Sequence, residues 1–405
     1  MAKKLVLLLC FFQGICAQNT PRIIVHAFVH GTRLSGLGIF SAIPLLNNNV
    51  QDKHLYTRSV KSARKDPAFF DAQVMQEEGL VEISAETIQL CRTHKLPTEK
   101  SKRGAIQVIA AYDQFTPKNN VTNLYYTYGW SGMLDAQYRQ KEAKTFYEKL
   151  VELRDQLHKK YPLSSIDFVL HGHSHGGNLI LNLAAHENEQ KKQLVIDCTI
   201  LYGTPIQVET ADYANHAMFK TIINLFSNND HIQVTDSIST QQESQRVLAP
   251  YVHVKNTKAK YVVDACVCLN GNPGAFGHAC FFYIDDVVYN QNAEFAAIRP
   301  LPLVTFGSII QQLVHQAQLK RVNHHLHVNV MTADGCSIGV FDQYKNLAIS
   351  DNLVSQLALV KATLEKTWTP YARRGHIQGA LRGLGHTLKE APTTIYQNYI
   401  NPLFQ

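Results

Sequence analysis

An α/β fold, a mostly parallel sheet covered by helices, is the class this sequence predicts, and three observations carry it. Short β-branched runs without helical period recur and read as buried strands, as in Ile23-Ile24-Val25 and Thr221–Phe226. Helical patterns alternate with them, which sets the strands mostly parallel with both faces covered. The strands end in polar or Gly-rich turns, and ligands of such sheets bind at the carboxyl ends of the strands.

Length and composition narrow the rest. The 405 residues suit one enlarged domain, or a core with an insertion or tail. An apolar fraction of 45% with 18% charged residues supports a sizeable core and excludes global disorder. No long internal repeat argues for a solenoid or propeller. No apolar run is long enough for a spanning helix. The formal charge of +7 is mild, and the aromatic residues are spread along the chain. A nucleic-acid partner is therefore not expected, while weak attraction to an acidic surface, including peripheral membrane contact, is compatible.

Residues 1–18 read MAKKLVLLLCFFQGICAQ. Two lysines, an apolar run and a small residue before Gln18 make the three-part pattern of a secretory signal, 1–17, cleaved after about Ala17. The expected location is secreted or periplasmic, with an uncleaved N-terminal membrane anchor as the alternative. Cys10 and Cys16 lie in the signal; Cys91, Cys198, Cys266, Cys268, Cys280 and Cys336 remain. No CxxC pair supports a zinc ribbon. An oxidising compartment would allow Cys280 to bridge Cys266 or Cys268, and six buried thiols is the other outcome.

The elements follow in order. Arg22–His30 reads as a buried strand leading into His30-Gly31-Thr32. A polar insertion at about 47–103, with helix-like pieces at Ala68–Glu78 and Ser84–Thr93, reads as a cap. Asn123–Tyr128 is a strand closed by Gly129-Trp130-Ser131-Gly132. In Ala136–Lys160 the residues Ala143, Phe146, Tyr147, Leu150, Leu153 and Leu157 fall at helical spacing, so one face packs on the sheet. Ile166–Leu170 is a strand, Gly177–His186 a helix, and Leu194–Leu201, Thr221–Phe226 and Tyr261–Leu269 are strands. The main domain is placed at 18–315. The extension 316–405 carries a hairpin signal, with Leu326, Val328 and Val330 alternating before the Asp334-Gly335 turn and the return strand Ile338–Phe341. An amphipathic helix at Leu353–Lys366 and a mildly basic tail at 370–405 complete it.

The sharpest signal is Gly172-His173-Ser174-His175-Gly176-Gly177, a G-x-S-x-G between a strand and a helix. A serine on so sharp a turn is strained, and its near neighbours must be tiny. Its hydroxyl then stands exposed at the end of the sheet. Ser131 is a rival only superficially, because its surroundings lack strand–turn–helix spacing. An oxyanion needs two convergent N–H donors; His175, after the nucleophile, and Thr32, in the His-Gly-Thr loop, are the candidates.

With these pieces the chain resembles an α/β-hydrolase of the esterase/lipase kind over roughly residues 22–315. The resemblance implies a triad in the order Ser, Asp, His. It departs from the family pattern in lacking two strands before the His-Gly-Thr strand, and in the long insertion. Asp230, in the turn after Thr221–Phe226, is the candidate acid. A turn-stabilising Asx role is its other reading. Asp236 is the runner-up; Asp197 and Asp264 lie inside strands. His278, on the Gly/Pro/Asn loop after Tyr261–Leu269, is the candidate base, with His324, His325 and His327 as competitors. Among the 19 histidines, His171, His173 and His175 alternate around Ser174 and His324, His325 and His327 cluster; neither group has a cysteine or acid at ligand spacing, so no metal site is expected.

The expectation is an exported serine hydrolase that cleaves carboxylic esters, including lipid-like ones, through an acyl-enzyme on Ser174, with no cofactor. The alternatives are a thioesterase, acyltransferase or peptidase on the same triad, an inactive binding protein on the same scaffold, and a surface-contact role for 370–405.

Overall fold

The computed structural model describes residues 21–31, 78–93, 104–116, 118–132, 135–228, 230, 232–235, 244–252, 261–269, 302–316, 323–331, 337–342 and 345–346. The strands are β1 (Arg22–Val29), β2 (Gly79–Ile83), β3 (Val121–Gly129), β4 (Ser165–His173), β5 (Cys198–Tyr202), β6 (Thr221–Phe226), β7 (Tyr261–Leu269), β8 (Asn323–Met331), β9 (Ser337–Asp342) and β10 (Lys345–Asn346). They form one sheet in the order β10-β9-β8-β7-β6-β5-β4-β1-β3-β2. The strands from β8 across to β3 run parallel, and β2 and β9 run antiparallel to their neighbours. The α/β architecture expected from the sequence is the one observed.

The helices are α1 (Ala85–Arg92), α2 (Gly104–Asp113), α3 (Ala136–Lys160), α4 (His175–Leu181), α5 (Leu183–Gln190), α6 (Val208–Ala211), α7 (Ile232–Thr235) and α8 (Pro302–Gln316). Helix α3 starts where the Asp135 carboxylate accepts the Tyr138 N–H at 2.9 Å, a cap for an otherwise orphaned donor. It ends in His158-Lys159-Lys160, and the cationic Lys159 and Lys160 suit the negative end of the helix dipole. All six apolar residues of the predicted stripe are buried. Burying a side chain such as Phe146 or Leu150 stabilises the fold by about 1.5–3 kcal/mol.

The strand pleat sorts the sheet into two faces. Val25, Ala27 and Val29 share one core with Phe168, Leu170 and the α3 stripe. His26 and Phe28, of opposite parity, lie with Tyr112 of α2 and with His171. Gly307 of α8 meets this side too: a Cβ there would be 2.3 Å from the Tyr202 hydroxyl.

Several elements differ from the sequence reading. Within the insertion, 79–83 forms strand β2 at the sheet edge beside β3, and the helix-like piece Ser84–Thr93 forms α1, capped by Ser84; Ala68–Glu78 lies almost wholly outside the described residues. No strand before Arg22 is described, and the edge beyond β3 is taken by β2 from later in the chain. The hairpin of β8 and β9 forms, but it is not a purely local antiparallel element. Strand β8 pairs parallel with β7 from Asn323 to Val330, so β8 and β9 extend the main sheet. The helix at Leu353–Lys366 and the tail at 370–405 lie outside the described residues.

Candidate active site

Strand β4 runs to His173, Ser174 turns, and α4 begins at His175. The turn residue has φ 51° and ψ −130°, a left-handed conformation that costs a non-glycine residue about 1–3 kcal/mol. Such strain persists only where the surroundings impose it. Here they do so by close approach. A Cβ on Gly172 would lie 2.6 Å from the Cα of Gly177, and one on Gly176 only 2.5 Å from the His30 carbonyl oxygen. The Ser174 N–H donates to the Tyr202 carbonyl at 2.9 Å, tying the turn to β5. The Ser174 side chain makes no capping hydrogen bond to its helix.

The loop after β1 faces this turn. A Cβ on Gly31 would lie 2.6 Å from the Cβ of Ser174, so only glycine lets the backbone pass so near. His30 holds the loop there. Its Nε2 accepts the Trp130 backbone N–H at 3.2 Å, which leaves the proton on Nδ1, and that N–H donates to the Gly31 carbonyl at 2.7 Å. The Trp130 indole N–H donates to the His30 carbonyl at 2.7 Å, and the two rings stack at 5.6 Å. This His30–Trp130 clamp links residues a hundred positions apart.

Of the candidate oxyanion donors, His175 is the first residue of α4 and is buried; Thr32 lies outside the described residues. Asn178, one turn further, donates to the Pro205 carbonyl at 2.8 Å and accepts the Thr210 hydroxyl at 2.7 Å, which anchors α4 to the loop after β5. Ser131 sits after β3 with no helix starting directly behind it.

Asp230 is fully buried beyond the carboxyl end of β6, two strand spacings, about 10 Å, from β4. Its carboxylate accepts the Gln233 N–H at 3.2 Å, and its carbonyl accepts the Arg246 guanidinium at 3.2 and 3.3 Å. The turn-stabilising role is therefore real for one carboxylate oxygen. Asp236 and His278 lie outside the described residues. Asp264 is occupied within the core, accepting the Asn224 amide and the N–H groups of Leu248 and Ala249 at 2.7–3.0 Å. Asp197 accepts the Phe168 N–H and pairs with Lys220. The competing histidines pair with β7, His324 with Val263, His325 with Asp264 and His327 with Cys266. Strand β8 is four spacings from β4, about 19 Å, too far for an imidazole to meet Ser174.

His171 is buried on the α2 side of the sheet, its Nε2 3.3 Å from His26 Nδ1 and its Nδ1 3.3 Å from the Tyr202 hydroxyl. His26 meets the Asn123 side-chain oxygen at 3.1 Å, and the Tyr202 hydroxyl donates to the Val304 carbonyl at 3.3 Å. Burial pushes His26 down to about 4, against a smaller upward pull from Asn123. His171 is driven well below its ordinary value by burial, and by its neighbour His26. Both rings are neutral at pH 7. Among the described residues no group of histidine, cysteine or acidic side chains is arranged to hold a metal ion. Cys91 and Cys198 are buried thiols outside any disulfide, with their pKa values raised by burial; the Cys280 pairing lies outside the described residues.

No family model matches the chain, and no curated protein matches it. Among solved structures it is similar to a proposed cell surface hydrolase from Lactobacillus plantarum WCFS1, at 13% identity over 86% of this chain and 97% of that one. The TM-score is 0.24, and a likeness that low carries no argument about fold or activity.

Proposed function

We propose that the chain is a serine hydrolase of the α/β-hydrolase kind that cleaves carboxylic esters. The observation that carries the reading is the strained backbone of Ser174, held between β4 and α4 with its side chain outside the helix cap. A fold tolerates such a serine where the strain serves a reacting hydroxyl. In this reading Ser174 Oγ attacks the ester carbonyl carbon and its proton passes to His278. The Thr32 and His175 N–H groups hold the oxyanion. The C–O bond then breaks, and the proton on His278 goes to the departing alcohol. Water repeats the sequence on the acyl-enzyme, and Asp230 stabilises the imidazolium in both halves. No cofactor takes part.

The apolar Phe69-Phe70 of the insertion favours lipid-like acyl groups in this reading. The signal at 1–17 would place the enzyme outside the cytoplasm, as a secreted or periplasmic protein. Among the described residues no helix is long and apolar enough to cross a membrane.

The test is hydrolysis of p-nitrophenyl acyl esters by protein beginning at Gln18. The expected result is turnover by the parent and a loss of about 10⁴-fold or more in Ser174→Ala and His278→Ala. Equal turnover by parent and Ser174→Ala would overturn the reading.

A further inference from the structure

Gln233 is a fully buried amide on the short helix α7, three residues after Asp230. Asp230 and Gln233 stand as the first and last members of a capping box, where the glutamine side chain ordinarily returns to the N–H of the capping residue. Here that N–H is spent on the Ser227 carbonyl at 3.1 Å. The Gln233 side chain is turned away from its own cap, and its Nε2 donates to the Thr204 carbonyl at 2.9 Å.

Thr204 belongs to the other side of the site. It follows β5, whose last carbonyl holds the Ser174 N–H, and its side chain lies against Gly177, where an added Cβ would meet Thr204 Oγ1 at 2.1 Å. Gln233 thus has two ends. Its main chain grips the Asp230 carboxylate, and its side chain grips the loop packed on the turn that carries Ser174. A third bond, from the Ser244 hydroxyl to the Gln233 carbonyl, fixes the turn to the strand-like segment that bridges Ile206 and Gln245.

Packing alone does not call for an amide here. Among the described residues the buried Gln233 Oε1 has no hydrogen-bond partner, a cost that methionine, of similar length and shape, would not carry. What the amide supplies is the bond to Thr204. We propose that Gln233 is a positioning residue, which sets the Asp230 carboxylate relative to Ser174 by bridging the acid-bearing turn to the nucleophile's scaffold. This rests on the triad reading above and assigns a residue that reading did not use.

The test is Gln233→Met, with kcat, KM and the pH profile of kcat/KM for a soluble ester measured beside the parent and Asp230→Asn. A displaced carboxylate stabilises the imidazolium less, so the pKa of the base falls and the acid limb moves to lower pH. The expected result is a kcat lower by about tenfold to a hundredfold and KM within about twofold, since ester binding is not touched. The acid limb should shift in the direction that Asp230→Asn shifts it. A merely structural glutamine would lower the folded fraction and leave the acid limb in place. If Gln233→Met does not fold, Ser244→Ala loosens the same turn by one bond. The same shift at smaller size is then expected, and an unshifted limb overturns the inference. An active parent whose Gln233→Met profile is unchanged overturns this inference alone. A parent with no esterase activity overturns the triad reading, and this inference with it.

Discussion

Gly31 and Ser174 approach so closely that one methyl group separates a working turn from a blocked one. In Gly31→Ala the new Cβ would sit 2.6 Å from Ser174 Cβ, inside any tolerable contact, so loop or serine must shift. A displacement of this size at a reacting centre costs about a hundredfold in rate. Gly31→Ala is therefore expected to fold with unchanged circular dichroism and to lose ester turnover by that factor. Near-parent turnover would show that the loop does not border the reacting atoms. The glycines of the G-x-S-x-G were legible in the sequence because the motif itself marks a sharp strand-to-helix turn; what forbids a side chain there, Gly177 against Gly172 and the His30 carbonyl against Gly176, came only with the structure. The His30–Trp130 clamp and the Gln233 bridge were not legible. Their partners lie 100 and 29 positions away, and a pattern read along the chain carries no sign of them. For Asp230 the sequence left two roles open, and the structure shows one oxygen capping its own turn.

Among the elements, α3 matched its reading at both ends, since an apolar stripe at period 3.6 and a proline just beyond it, Pro162, are local signals; its Asp135 cap was seen only in the structure. Its energetics follow the same division. Asp135→Ala removes an exposed cap and is expected to cost about 1 kcal/mol, whereas Leu150→Ala empties a fully buried site and should cost about 2–5 kcal/mol. Urea titrations of the two variants check the ranking, and a reversal would mean that α3 does not pack as described. Strands β6 and β7 also matched their readings. The run Leu194–Leu201 was read too long at its start, because only Ile196 of its first four residues pairs, as an isolated bridge to Phe219. Strand β2 and the parallel pairing of β8 escaped the reading because partner choice between strands is a long-range matter. A five-residue segment such as 79–83 looks much the same at a sheet edge or in a surface loop.

For the whole molecule, one sheet carries two unlike faces. One is an aliphatic and aromatic core under α3. The other holds the chain Asn123–His26–His171–Tyr202 in a dry setting. That chain makes the fold sensitive to acid. An unfolded histidine titrates near its ordinary 6.5, while in the fold burial pushes His26 down to about 4 and drives His171 well below its ordinary value. Across that window the unfolded state binds more protons, so stability falls as pH falls from about 6.5 towards 4. Each histidine contributes up to about 1.4 kcal/mol per pH unit. Tm measured between pH 7 and 4 should therefore decline, and His26→Phe should flatten the decline; a Tm independent of pH over this range would contradict the neutral pair. The alternating strand and helix pattern made the fold class readable from local periodicity. The proposed acid and base come from loops far apart in the chain, and only Asp230 of that pair lies among the described residues. The central claim is that this scaffold presents Ser174 as a nucleophile. Its most direct test is a fluorophosphonate probe followed by peptide mass mapping on protein from Gln18 onward. The account predicts a single adduct, on Ser174, that vanishes in Ser174→Ala and collapses in His278→Ala. A folded parent that takes no label, or takes it on another residue, would contradict it.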